Sequence, residues 1–341
     1  MEDIEKDISS SGLASKVATY FWWKGLEKIE STIDNFFDTL RIKKLITTIF
    51  IGLKDIDALP KVLGDNPLET FKGEDSELNR KYYDSTESYI KTLEKIPFDL
   101  TPLKKENTIK RLPTQSMHPT NPTPNEKWFF INGICTSTDM AIINSRMLSK
   151  VFGRPITPLH NPTNGMIADL AEAIKGRDLD QYTNIARTTK DLLWGELQDL
   201  KTQLAYTPVN SNQSDKIVIL VHSQGGIIIS NVVGRLLQEH PRDPLLNHLE
   251  IYTFASAHDD YPSFEQGEVH FSPPFTEHFA NDEDYVAMIG VLNGISNTNG
   301  RIYVKKGTGH LLNYHYLKDF LSGKYDVKEQ SRLSRLRNGN R

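Results

Sequence analysis

Hydrophobic and polar positions along the chain change period partway through. From about Leu13 to Leu40 the apolar residues Trp22, Leu26, Ile29, Ile33, Phe36, Phe37 and Leu40 recur every three or four positions, with Lys, Glu and Asp between them. That spacing puts them on one stripe of an amphipathic helix. A second such run passes through Ile42, Leu45, Ile46, Ile49 and Phe50, and a weaker third covers Tyr82 to Ile96. Residues 1–111 therefore read as a helical N-terminal region without strand patterning.

The pattern breaks at "LPTQSMHPTNPTPNEK", Leu112 to Lys127, where four prolines among Thr, Asn and Ser predict an extended linker over residues 112–127. Beyond it, short apolar runs alternate with helical ones. "WFFINGI" (Trp128 to Ile134), "ITPLH" (Ile156 to His160), "KIVILVH" (Lys216 to His222), "LEIYTFASA" (Leu249 to Ala257), "EHFA" (Glu277 to Ala280) and "RIYVKK" (Arg301 to Lys306) are the candidate strands. Met140 to Val151 and Ile227 to Leu237 carry helical spacing between them. Continuously apolar strands separated by helices predict an α/β fold, with a mainly parallel central sheet and helices on both faces, over residues 128–325. Within it, residues 166–204 form a helical insert longer than one crossover needs, which either overhangs a site as a cap or simply covers the sheet. Residues 326–341, ending "SRLSRLRNGNR", read as a basic, disordered tail.

Composition narrows the function. The 341 residues carry a net charge of −4 with interspersed signs, so no clustered basic face marks nucleic acid as a partner. The single cysteine, Cys135, rules out an intramolecular disulfide framework, and the ten histidines lack metal-ligand spacing. Neither a metal nor a cofactor is expected. The opening "MEDIEKDISSSG" is acidic and polar where a secretory signal would be basic and then apolar, so a cytoplasmic site is expected. The longest nearly apolar run, Leu45 to Leu53, is about half the roughly 20 residues that cross a bilayer. Tyr20, Phe21, Trp22 and Trp23 beside Lys16, Lys24 and Lys28 would suit peripheral contact with a membrane interface, or a helix packed on the rest of the protein.

The stretch "DKIVILVHSQGGIIISNVVGRLL", Asp215 to Leu237, holds the candidate chemistry. An apolar strand ends in Ser223, and a helix begins at once behind Gly225 and Gly226. A serine on such a turn has its hydroxyl raised beyond the carboxyl end of the sheet, beside the N–H groups of a helix start. A serine hydroxyl needs a histidine to take its proton and a carboxylate to orient that histidine. His310, in the Gly-Thr-Gly-His loop after the last strand, is the candidate base. His315, one helical turn on, competes with it. Asp284 is the candidate acid, with Asp282, Asp259 and Asp260 as alternatives. For an oxyanion the candidate donors are the N–H groups of Gln224 and Ile134, the latter following Asn132-Gly133 at the end of the first core strand, with Cys135 as the alternative. Cys135 as a reactive thiol has no histidine suggested near it in sequence.

Val221-His222-Ser223-Gln224-Gly225 resembles the G-x-S-x-G nucleophile elbow of the α/β-hydrolase superfamily, with Val in place of the first glycine. With "FFINGI", "HNPTNG" (His160 to Gly165), "HFANDEDYVAMIGVL" and "GTGHLLNYHYL", it resembles a lipase- and serine-esterase-like branch of that superfamily with fungal and bacterial members, over about Trp128 to Leu321. Asp284-Tyr285-Val286 is similar to the Asp-x-Val step that carries the acid there. The resemblance implies a serine hydrolase acting on a small-molecule or lipid ester or thioester. Two other readings stand beside it: a catalytically silent binding module on the same fold, and a membrane or assembly element carried by the N-terminal helices.

Overall fold

The computed structural model describes residues 59–96, 108–117, 126–162, 184–206, 215–262, 264–266, 269–271, 274–326 and 328–340, and besides these 42, 46, 47 and 49. The chain divides into two units, Met1–Ile51 and Gly52–Arg341, and everything below lies in the second. The aromatic run Tyr20 to Trp23, residues 118–125 of the expected linker and residues 166–183 of the expected insert lie outside the described residues.

In chain order the main elements are α1 (Leu59–Leu63), α2 (Pro67–Lys72), α3 (Thr86–Glu94), β1 (Lys110–Arg111), β2 (Glu126–Ile131), α4 (Thr138–Phe152), β3 (Ile156–His160), α5 (Asn184–Tyr206) and β4 (Lys216–His222). They continue with α6 (Gly225–Glu239), β5 (Leu249–Phe254), a β6–β7 hairpin (Phe264–Gln266, Val269–Phe271), β8 (Phe275–Asn281), α7 (Tyr285–Ile289) and β9 (Arg301–Lys305). The strand order is β1-β3-β2-β4-β5-β8-β9, parallel throughout except for β1, which pairs antiparallel at the β3 edge. Leu112 and Gln115, expected in the linker, also bond along this edge, to Pro158 and Ile156.

Alternation along the strands separates two cores. Phe129, Ile131, Ile217, Ile219, Val221 and Ile251 face α5 and α6, where Leu193, Leu197, Ile229, Val232 and Leu236 meet them. Trp128, Phe130, Val218, Leu220, Tyr252 and Phe254 face the other way, against Leu148 and Phe152 of α4 and against Leu312, Leu317 and Phe320. Each such side chain contributes about 1.5–3 kcal/mol when fully buried. The described half of the expected insert, α5, is thus sheet-covering structure rather than an overhang. Among the described residues no helix is long and apolar enough to cross a membrane.

The crossover from β2 to β3 runs through α4 on one face, and the crossover from β3 to β4 through α5 on the other. α4 follows β2 onto one face and α6 follows β4 onto the other, so the loops leaving these neighbouring strands set off to opposite faces of the sheet at its carboxyl edge.

The C-terminal segment departs from the disordered tail expected of it. Ser331 caps a helical turn at Arg332–Arg335, Leu333 and Leu336 are buried, and the N–H groups of Arg332 and Leu333 donate to the Glu277 carboxylate at 2.8 and 3.0 Å. The Arg332 guanidinium also pairs with Glu250. The segment folds because two buried carboxylates of the sheet require donors and its arginine and backbone supply them.

Candidate active site

Ser223 immediately follows β4, at φ 58°. That left-handed conformation is rare outside glycine and costs of order 1 kcal/mol or more, so the neighbourhood must enforce it. The Ser223 N–H donates to Phe254 O at 3.0 Å, and its carbonyl accepts from the N–H groups of Gly226 and Ala257 at 2.9 and 3.1 Å. Gly225 is needed because a Cβ there would lie 2.8 Å from Ile131 O, and Gly226 because one would lie 1.7 Å from Ser256 Oγ. Val221, at the position of the motif's first glycine, points into the α5–α6 core. A side chain at this position is therefore accommodated by core packing.

His310 stands in the loop after β9. Its Nδ1–H donates to both Asp284 oxygens, at 3.0 and 2.9 Å, leaving Nε2 free to accept from the Ser223 hydroxyl at 2.9 Å. Asp284, fully buried at the start of α7, accepts in addition from Val286 N–H at 2.9 Å and from the Tyr316 hydroxyl at 2.6 Å. Those bonds hold the carboxylate in register with the imidazole. Asp282 has a different role: its Oδ1 accepts from Gly307 N–H at 2.8 Å, bracing the loop that ends in His310. Asp259 and Asp260 line a separate surface cavity with Ser296–Asn299. His315 is buried, and its Nδ1 accepts from Leu311 N–H at 3.0 Å. Burial, then the nearby His310, pushes its pKa down to about 3.

Several residues escaped sequence reasoning. His222 donates from Nε2 to the His310 carbonyl at 2.8 Å, and burial holds it neutral with a pKa well below the usual histidine range. The side chains of Asn132, Asn161 and the half-buried Gln224, whose side-chain roles were not expected, form a polar chain across three strand ends: Asn161 N–H donates to Asn132 Oδ1 at 2.9 Å and Asn161 Nδ2 to Gln224 Oε1 at 2.8 Å. This chain ties together the loops that carry Ile134 and Gln224, whose own N–H groups have no acceptor among the described residues. "HNPTNG" contained the signal, a polar pair directly after a buried strand.

The His310 loop is also held from the N-terminal side of the unit. Gly309 and His310 N–H donate to Lys61 and Val62 carbonyls at 3.3 and 2.8 Å, and Thr308 Oγ1 to Asp65 at 3.0 Å. Glu77, fully buried, accepts from the N–H groups of Asn313 and Tyr314 at 3.1 and 3.3 Å, at the start of the π-helix Leu312–Leu317. Burial raises the Glu77 pKa to about 7, against the pull of those N–H groups. Between these segments lies a cavity of about 90 Å³ that adjoins His310 and Ile134 and includes Cys135 in its wall. Among the described residues no cluster of His, Cys, Asp and Glu suits a metal ion.

No family model and no curated protein matches the chain. Among solved structures it is similar to ESTFA in its Fe-lacking apo form, at 10% identity and TM-score 0.33, covering 64% of this chain and 80% of that one. It is similar to the Pyrobaculum calidifontis esterase at 9% and 0.34, covering 60% and 77%. A hydrolase of the alpha/beta superfamily from Xanthomonas campestris pv. campestris gives 14% and 0.27, covering 57% and 91%.

Proposed function

We propose that this protein is a serine hydrolase of the lipase- and esterase-like branch of the α/β-hydrolases, cleaving carboxylic esters through an acyl-enzyme. The observation that carries the reading is the unbroken hydrogen-bonded line from Ser223 Oγ through His310 to Asp284, at 2.9 Å on either side of the imidazole. Such a line is what a weak nucleophile needs.

In this reading Ser223 Oγ attacks the ester carbonyl carbon while its proton passes to His310 Nε2, and Asp284 stabilises the imidazolium. The N–H groups of Gln224 and Ile134 stabilise the oxyanion. On collapse the carbon–oxygen bond to the leaving group breaks, and His310 returns the proton to the departing alkoxide. Water then adds to the acyl-enzyme carbonyl, giving its proton to His310, and collapse frees the acid and restores the Ser223 hydroxyl.

Labelling of the purified chain with a fluorophosphonate probe tests this. Labelling is expected, and Ser223→Ala and His310→Ala should each abolish it. A folded native protein that fails to label would leave the elbow as a structural turn and the fold as a binding module.

A further inference from the structure

Ester hydrolysis as proposed leaves His222 without a task, although it touches more of the site than its place in the chain suggests. It is the last residue of β4, and Ser223 follows it at φ 58°. Its Nε2–H donates to the His310 carbonyl at 2.8 Å. Its ring lies against the His310 ring, with centroids 4.7 Å apart and planes 36° from each other, and meets the Tyr316 ring edge-on at 6.5 Å. Tyr316 in turn donates to Asp284. One side chain on the strand that carries Ser223 therefore contacts both the candidate base and the residue that holds the candidate acid.

The His310 loop needs such a contact. Gly307 and Gly309 precede the histidine at φ 134° and 91°, and glycine at such positions leaves the chain many alternative conformations. The His310 N–H is held by the Val62 carbonyl, from residues 59–96, and the His310 carbonyl by His222, from the sheet. Bonds on both sides of its Cα fix where the His310 side chain begins, and the ring lying against it limits how the imidazole can turn. A carbonyl oxygen only accepts, so His222 must keep its proton on Nε2. Burial, and after it the proximity of His310, stops the His222 ring from taking a second proton, which would set a like charge against the His310 imidazolium.

We infer that His222 is a positioning residue for the proposed hydrolysis: its Nε2–H fixes the backbone of His310 so that the imidazole stays in line between Ser223 and Asp284. This rests on the reading of Ser223 as the nucleophile. It gives the elbow a second function, since the residue before the nucleophile also places the nucleophile's base.

The test uses the full chain, with active sites counted by fluorophosphonate labelling to completion and kcat expressed per labelled site. His222→Phe keeps a ring against His310 and loses the donor, whereas His222→Gln loses the ring and keeps an N–H donor at a similar reach. On p-nitrophenyl butyrate, His222→Phe should lower kcat by about 10²-fold with KM little changed, as a misaligned base does. His222→Gln should be about tenfold faster than His222→Phe. A role in packing alone would reverse that order, because phenylalanine matches the imidazole in shape. Native kcat in His222→Phe, or a Phe variant as fast as the Gln variant, would overturn the inference. Should neither variant fold, the native chain still decides: NMR of protein labelled with ¹⁵N-histidine should show the His222 proton on Nε2 and protected from exchange, and a proton on Nδ1 would overturn the inference. Native protein that fails to label would overturn the nucleophile and the inference together, so the two failures are told apart before any variant is assayed.

Discussion

Gly133→Ala probes how tightly the loop after β2 is pressed against Ser223. A Cβ at this position would lie 2.4 Å from Ser223 Cβ, 2.9 Å from Ser223 Oγ and 3.2 Å from the His222 carbonyl oxygen. Carbon atoms not bonded to each other rest about 3.5–4.0 Å apart, so the loop and the elbow must separate by more than about 1 Å. The elbow cannot yield freely, because Ser223 is already at φ 58° and both its backbone groups are bonded. Strain therefore falls on the bond from Ser223 Oγ to His310 and on the position of Ile134 N–H. A misplacement of about 1 Å at a reacting centre lowers the rate by about 10²-fold, and overpacking of this kind costs about 1–3 kcal/mol of stability. The assay is the second-order rate of fluorophosphonate labelling, measured beside a thermal melt. Gly195→Ala is the control, since a Cβ there, inside α5, meets nothing within 4 Å. It should label normally and gain about 0.5–1 kcal/mol. Labelling of folded Gly133→Ala at the native rate would refute any dependence of Ser223 reactivity on this close approach.

Asp284→Asn should lower kcat on p-nitrophenyl butyrate by about 10⁴, because an amide opposite His310 Nδ1 favours the wrong tautomer; a loss under tenfold would make Asp284 a bystander. Leu333→Ala should destabilise the protein by about 2–5 kcal/mol in urea unfolding, as a fully buried leucine does, whereas a tail free in solvent would show no change. Stability should fall on acidification. Burial is the first cause of the lowered pKa values of His222, His258, His278 and His315, with His278 pushed down to about 4 and His315 to about 3. Unfolded, each takes a proton as pH drops below about 6.5, so each contributes a loss of roughly 1.4 kcal/mol per pH unit until its folded value is reached. Glu77 acts in the opposite sense, because its folded pKa of about 7 lies above the ordinary 4.5. The penalty for its charge is relieved between those two values as pH falls, which offsets only about one or two of the four histidines. Urea midpoints that stay flat from pH 7 to 5.5 would contradict this balance.

The parallel core was legible because its strands are apolar on both faces, and Ile156 to His160 and Lys216 to His222 match β3 and β4 end for end. Sequence could group Ser223, Asp284 and His310 because each follows a strand, Ser223 at once and the other two within the loops after β8 and β9, and parallel strands deliver their carboxyl ends to one edge. What sequence could not supply were partnerships between distant polar residues. Arg332 looks like solvated basic tail until Glu250 and Glu277, on β5 and β8, are seen beside it. Glu77 sits in a run with no strong period, and its partners are backbone N–H groups more than 230 residues away. The short edge strand β1 and the β6–β7 hairpin span two or three residues each, below the length at which alternation becomes readable.

The hydrogen bonds from Gly309 and His310 to the Lys61 and Val62 carbonyls have a consequence for how this protein can be divided and inherited. A crossover in the proline-rich stretch before β2 looks like a natural seam between interchangeable modules. It would nevertheless separate the histidine loop from the backbone acceptors that shape it, together with Glu77 at the head of the following helix. A chimaera that borrowed only the sheet would keep serine, histidine and aspartate in its sequence yet lose the mould that presents the imidazole. Residues 59–96 and the sheet are therefore expected to move through evolution as one unit.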